Sequence, residues 1–240
     1  MYRKKYLTLK KNYLEQKGGS MVSKSTKSTD SLIPKPDFPI ESNVPIFISG
    51  FAASGKSTYA KKLAEEHNRV LIEMDEIIRS IKSMFPEEIQ KKINFFRVYR
   101  VREGDFVMKA KDIFVTVLKS LIDLYKGDVV LEGMLESHSM IERIFGTDPY
   151  TLVLIRVEDE DEYAKRIAQR FKADPTNYGR IAELRNSDED GKMLELFLKE
   201  KDINNLKIQK FIKDATKLCF SKHEKYYDSY KSLSPITIWN

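Results

Sequence analysis

The feature that most narrows the folds open to this chain is the octapeptide Gly50-Phe51-Ala52-Ala53-Ser54-Gly55-Lys56-Ser57, which fits GxxxxGK[ST] at every fixed position. It follows Val44-Pro45-Ile46-Phe47-Ile48-Ser49, a continuous apolar run of the kind expected for a strand covered on both faces. Downstream, Lys56 to His67 carries Ala60, Leu63 and Ala64 as an apolar stripe at helical spacing. Strand, glycine-rich turn and helix, in that order, is the context this pattern requires. Glycines at 50 and 55 let the backbone wrap an anion, which the free N–H groups and the dipole of the following helix then favour.

The chemistry expected of such a loop is specific. Gly50, Ala52, Ala53, Ser54, Gly55, Lys56, Ser57 and Thr58 are the candidates for holding ATP, with the Lys56 ammonium reaching the β- and γ-phosphates. The Ser57 hydroxyl is the candidate ligand for Mg²⁺, with Thr58 as its less favoured substitute.

The rest of the chain reads as alternating strands and helices. Val70-Leu71-Ile72 is a second buried strand running into Met74-Asp75, and Ile77, Ile78 and Ile81 mark a helix after it. Between Pro86 and Tyr125 the periodicity gives two helices separated near Gly104, the second ended by Gly127. Val129-Val130-Leu131-Glu132-Gly133 is a third strand and Tyr150 to Val157 a fourth, followed by a charged helix from Asp159 to about Phe171. A polar stretch over 172–192, helical material from Lys192 to Lys231 and a last strand over Pro235–Trp239 complete the pattern. Such alternation implies a parallel sheet.

Residues 1–39 read as a basic, flexible extension and linker, and 40–240 as a single α/β domain. Nine Lys or Arg stand against two acids in residues 1–36, so the net charge of +6 belongs to the extension. That basic tail leaves a contact with nucleic acid or an anionic surface open, beside the plainer reading of a solvated arm. The single cysteine, Cys219, cannot build a disulfide framework or a cysteine zinc site, and a reducing compartment follows. No apolar run approaches the roughly 20 residues of a membrane span. The expectation is a soluble, cytoplasmic protein.

Beyond the loop, the acidic residues at strand ends separate the functional classes. A guanine-reading NKxD is not evident, nor is an aspartate after the apolar run of a metal-binding strand, as in GTPases and motor ATPases. Instead the second strand leads to Asp75, with Arg79 four residues on and facing the same way on a helix. Asp75 is the candidate base for an acceptor hydroxyl, and Arg79 for an anionic group on that acceptor. A helix N-cap would also explain Asp75, and a surface ion pair Arg79. Glu132, carried by an apolar strand into the crevice at the strand ends, suits either a contact to a metal-bound or catalytic water or the orientation of Lys56 or Ser57.

Arg166 and Arg170, again at i and i+4, are candidates for a lid that neutralises charge on the transferred group, unless they merely pair with the acids of their own helix. Arg180 and Arg185 are further lid candidates. In the segment Phe95-Phe96-Arg97-Val98-Tyr99-Arg100, arginines interleaved with aromatics suit a phosphate-bearing or nucleotide-like acceptor, with Arg97 and Arg100 as the contacts.

With these residues in order, the chain resembles the 2-phosphoglycerate-kinase-like branch of the P-loop kinases, a neighbour of zeta toxins and polynucleotide kinases. The resemblance rests on Gly50 to Thr58, the Asp75 to Arg79 step, Val129 to Gly133, and Asp159-Glu160-Asp161-Glu162 leading to Arg166 and Arg170. It implies a three-layer α/β fold of the nucleoside-monophosphate-kinase kind, with a parallel five-stranded sheet ordered 2-3-1-4-5, a helical insertion and a lid. It also implies ATP and Mg²⁺. Where that family carries histidines, this chain has Met134-Leu135 and Tyr163, so the acceptor is left open. The expected activity is transfer of a γ-phosphoryl group to a hydroxyl of a small phosphorylated metabolite. A polynucleotide 5′-hydroxyl or zeta-toxin-like kinase, and an ATP-binding switch that phosphorylates nothing, are the alternatives.

Overall fold

The computed structural model describes residues 38–87, 105–134, 138–173 and 206–240. Most of the N-terminal extension, the insertion with Arg97 and Arg100, Leu135, and Arg180 and Arg185 lie outside the described residues. Strands β1 (Ile46–Gly50), β2 (Val70–Glu73), β3 (Val129–Glu132), β4 (Thr151–Arg156) and β5 (Ile236–Trp239) form one sheet in the order β2-β3-β1-β4-β5. It is the parallel sheet of a three-layer P-loop-type α/β fold. Helices α1 (Lys56–Glu66), α2 (Met74–Lys82), α3 (Asp105–Leu124), α4 (His138–Phe145), α5 (Glu160–Ala173) and α6 (Leu206–Tyr230) accompany it, and a 3₁₀ turn (Lys231–Leu233) leads into β5.

The central strands are apolar because the fold covers them on both sides. All five residues of β1 are buried, as are all four of β3. β3 pairs in parallel with β1, Ile48 opposite Glu132, and with β2, Glu73 opposite Glu132. Two carboxylate-bearing residues therefore end adjacent strands at the same level.

By contact, the chain separates into two compact units: Met1–Ser49 with Ser57–Val153, and Gly50–Lys56 with Leu154–Asn240. In the first, α2 buries Met74, Ile77, Ile78 and Ile81 on one face and packs on α3, which in turn packs on α4. The residues before β1 are tied down by Arg69, whose guanidinium donates to the carbonyls of Val44 (2.7 Å) and Glu41 and faces Asp128 at 3.6 Å. Burial lowers the Arg69 pKa, and the neighbouring Asp128 carboxylate opposes that fall.

In the second unit, α5 packs along α6, with the buried Tyr163 ring 6.2 Å from that of Phe220. Asp159 starts α5 as its cap, its Oδ1 accepting from the N–H groups of Asp161 (2.7 Å) and Glu162 (3.0 Å). Those two bonds hold the Asp159 pKa below the ordinary carboxylate value.

Two local readings change. Strand β2 stops at Glu73 and helix α2 begins at once with Met74, so Asp75 lies inside the first turn and the N-cap position belongs to Glu73. Glu73 makes no side-chain cap bond there. Helix α4 has no counterpart in the sequence reading, although Met140, Ile141, Ile144 and Phe145 are its buried face.

Candidate active site

The loop after β1 has the backbone its motif demands. Gly55 sits at φ +92°, a conformation that side chains rarely tolerate, and Ala53 at φ +64°. The Ser54 N–H closes a turn on the Phe51 carbonyl at 3.2 Å. Gly50 is required by crowding: a Cβ there would come within 2.6 Å of both the Ile155 carbonyl oxygen and the Ser54 hydroxyl. Ser54 is fully buried, while Ala52, Ala53, Gly55 and Lys56 are partly exposed. Lys56 is the first residue of α1, so the helix N-terminus opens directly from the loop.

Several side chains of the second unit grip this loop. The Phe51 ring packs edge-on against Tyr226, centroids 5.9 Å apart. The buried Tyr227 hydroxyl donates to the Ile155 carbonyl at 2.7 Å. Burial pushes the Tyr227 phenol up to about 12, against the pull of a hydrogen bond with the Phe51 backbone. The Asn240 side-chain amide donates to the Ser54 carbonyl at 2.8 Å. Arg166 lies near the same turn, its Nη1 3.9 Å from where a Cβ on Gly55 would stand, and its Nε also donates to Glu162 at 3.0 Å. Of the two sequence readings of Arg166, the pair within its own helix is therefore present, in a side chain that also lies near the loop. Arg170, one turn on, is exposed.

In the first unit, the Ser57 hydroxyl donates to Glu132 Oε1 at 3.0 Å. Glu132 is only 6% exposed, so this is a carboxylate drawn into the fold rather than a solvated one. At the end of the neighbouring strand, the Ser49 hydroxyl donates to the Gly133 carbonyl (2.9 Å) and the Gly133 N–H to the Ile48 carbonyl (3.2 Å), which fixes where β3 ends. Asp75 is partly buried in the first turn of α2, and Arg79 is exposed in its last turn. Thr58 is exposed on α1. Among the described residues, no group of three or more His, Cys, Asp or Glu converges to hold a metal, and no helix is long and apolar enough to cross a membrane.

Sequence reasoning did not find Asn240, Tyr227 or Tyr226. Each acts on the loop through its backbone or through a ring face, contacts that leave no pattern of residue types.

Sheet order, loop conformation and the strand-loop-helix junction together define a P-loop-type α/β protein. No protein-family model matches the chain, nor does any curated protein. Among solved structures it is similar to a shikimate kinase from Aquifex aeolicus vf5, with 16% identity over 82% of this chain and 85% of that one and a TM-score of 0.31. It is similar also to a gluconokinase from Sinorhizobium meliloti 1021, with 15% identity over 77% and 96% and a TM-score of 0.36. Likenesses this distant carry no argument about activity, so the case for function rests on the chain's own residues.

Proposed function

We propose that the chain is an ATP-dependent kinase that transfers the γ-phosphoryl group to a hydroxyl of a small phosphorylated metabolite, in the manner of the 2-phosphoglycerate-kinase-like group. The observation that carries the reading is the loop itself: a positive-φ glycine turn between a buried strand and a helix that opens with Lys56. Backbone N–H groups of residues 52–57 would hold the phosphates, and the Lys56 ammonium would follow the charge as it moves to the β–γ bridging oxygen.

The Ser57 hydroxyl and the Glu132 carboxylate would suit Mg²⁺, because both are hard oxygen donors and the hydroxyl, whose hydrogen is directed at Glu132 in a hydrogen bond, keeps lone pairs for a cation. A cation held there would supply positive charge to offset that of the triphosphate. Asp75, a carboxylate in the first turn of α2, is the proposed acceptor of the hydroxyl proton. Arg166 is the proposed stabiliser of charge on the transferred group, with Arg170 beside it on α5. Arg79, Arg97 and Arg100 are proposed contacts for an anionic acceptor. Catalysis of this kind is positioning and electrostatics, since the phosphoryl group needs little covalent help.

Transfer from γ-labelled ATP to a panel of phosphorylated hydroxy acids, sugars and oligonucleotides tests the proposal. A labelled small acceptor is expected with the wild-type chain, none with Lys56→Ala, and at least about 100-fold less with Asp75→Asn, whose ATP affinity should stay within a few-fold of wild type. Labelling of oligonucleotides alone would overturn the acceptor class. Nucleotide binding without transfer to anything would overturn the kinase.

A further inference from the structure

We infer that Asn240 is a positioning residue of the phosphate-binding loop, holding the Ser54–Gly55 peptide in the orientation that turns its N–H toward a bound phosphate. The inference rests on the reading of the loop as a phosphate site and deepens it.

A loop of this kind works only if its peptide N–H groups face the anion. In a trans peptide the C=O points opposite to the N–H, so every inward donor has an outward carbonyl. That carbonyl needs a donor of its own when water cannot reach it. Ser54 is fully buried, and the donor its carbonyl finds is the Asn240 Nδ2, at 2.8 Å.

The same peptide is the one most in need of holding. Gly55 follows it at φ +92°, and glycine passes between positive and negative φ at little cost, so a flip at this point meets little steric resistance. A flipped peptide would present the Ser54 carbonyl to the phosphate. Asn240 opposes the flip in two ways. Its amide binds the carbonyl in the outward position, and its bulk fills the space beside Gly55, where a Cβ would stand 2.1 Å from Nδ2.

Asn240 is itself held. Its backbone N–H donates to the Arg156 carbonyl at 2.8 Å. The Arg156 guanidinium lies 4.5 Å from the ring centroids of both Tyr227 and Trp239 and pairs with Glu224. The amide therefore reaches the loop from the residue after β5, whose backbone is bonded to Arg156, and a side-chain substitution leaves that backbone anchor in place.

Calorimetric titration of the full chain with ATP, inorganic tripolyphosphate and adenosine tests this, with Asn240→Leu (the same branching, no donor), Asn240→Ala and Asn240→Gln. Losing one hydrogen bond that orients a phosphate donor is expected to weaken ATP and tripolyphosphate about fivefold to tenfold in the Leu and Ala variants, with adenosine unchanged. Gln, which keeps the donor, is expected to recover at least half of the loss on a logarithmic scale. Unchanged ATP affinity in Asn240→Ala would overturn the inference. So would an equal loss for adenosine and ATP, which marks a general structural role, or a Gln variant no better than Leu. A wild-type chain that binds neither ATP nor tripolyphosphate would overturn the phosphate-site reading and this inference with it, an outcome the wild-type titration separates from the others.

Discussion

Two regions of this protein hold candidate site residues by opposite means. The Ser57–Glu132 pair joins side chain to side chain across 75 residues, each partner a residue type its chemistry demands. The loop from Gly50 to Lys56 is instead held largely through its backbone, by Asn240 on the Ser54 carbonyl across 186 residues and by Tyr227 on the Phe51 main chain, with the Tyr226 ring against the Phe51 ring beside it. The first kind of support is replaceable only by a like group. The second needs a donor, or a ring, at the right place, and tolerates more than one residue there. A substitution in the first region should therefore change chemistry with little change in fold, and one in the second should change how firmly the loop or its surroundings are held.

The sharpest way to break that contrast is Glu132→Gln. The amide keeps the size of the carboxylate and still accepts from Ser57, but it removes the charge next to the proposed cation site. Phosphoryl transfer is expected to fall by roughly 100-fold or more, with the largest loss at low Mg²⁺, because charge at this point is felt in the transition state more than in the ground state. Stability should stay within about 1 kcal/mol of wild type, since a buried carboxylate replaced by a neutral acceptor keeps its hydrogen bond. Transfer rates as a function of Mg²⁺, set beside a denaturant midpoint, decide it. A large loss of stability with kinetics intact would place Glu132 among the structural groups.

Tyr227→Phe is the matching test in the second region, with a smaller effect. Removing the hydroxyl leaves the Ile155 carbonyl without this donor, which should cost about 1–2 kcal/mol at pH 8. The sign of the pH dependence follows from the phenol. Its pKa rises on folding from 10 to about 12, so its contribution is intact below pH 10 and is lost as pH climbs through about 12. That rise corresponds to roughly 2–3 kcal/mol, so the advantage of wild type over Tyr227→Phe should shrink between pH 10 and 12 and vanish or reverse beyond it. Denaturant unfolding of both proteins at pH 8, 10 and 11.5 measures this. A constant gap would show that the hydroxyl is not held as a buried neutral group.

How much of this was legible beforehand follows the same division. Gly50, Gly55, Lys56 and Ser57 announce themselves because a phosphate loop needs those residue types in one short stretch. The Glu132–Ser57 bond was legible as one of two readings, because an acid that ends an apolar strand is carried to the strand ends where the loop lies. Sheet order came from a resemblance that the observed β2-β3-β1-β4-β5 arrangement matches. The sequence reading carries the second strand on to Met74-Asp75, whereas it stops at Glu73, because nothing in Glu73-Met74-Asp75 marks a strand passing into a helix without an intervening turn, and aspartate is the better cap by propensity. Helix α4 escaped because its eight residues are too few for periodicity to rise above a chance cluster. Asn240 and Tyr227 could not be read at all. Their partners are main-chain carbonyls, which every residue possesses.

Tyr59 supplies the smallest effect and a control on the whole contrast. Like Tyr227 it is a buried phenol, 4% exposed, with its pKa pushed up to about 12 by burial and, less, by Glu66. Unlike Tyr227, its hydroxyl has no hydrogen-bond partner among the described residues. Removing an unsatisfied buried hydroxyl removes a desolvation cost and no bond, so Tyr59→Phe should raise stability by about 0.5–1 kcal/mol where Tyr227→Phe lowers it. Because Tyr59 lies on α1 three residues beyond Lys56, ATP affinity measured on the same variant shows whether added stiffness in that helix reaches the loop. Opposite signs for the two Tyr→Phe changes would establish that the hydroxyl bond, and not the burial of a ring, is what Tyr227 contributes to holding the loop; equal signs would assign both residues to packing alone.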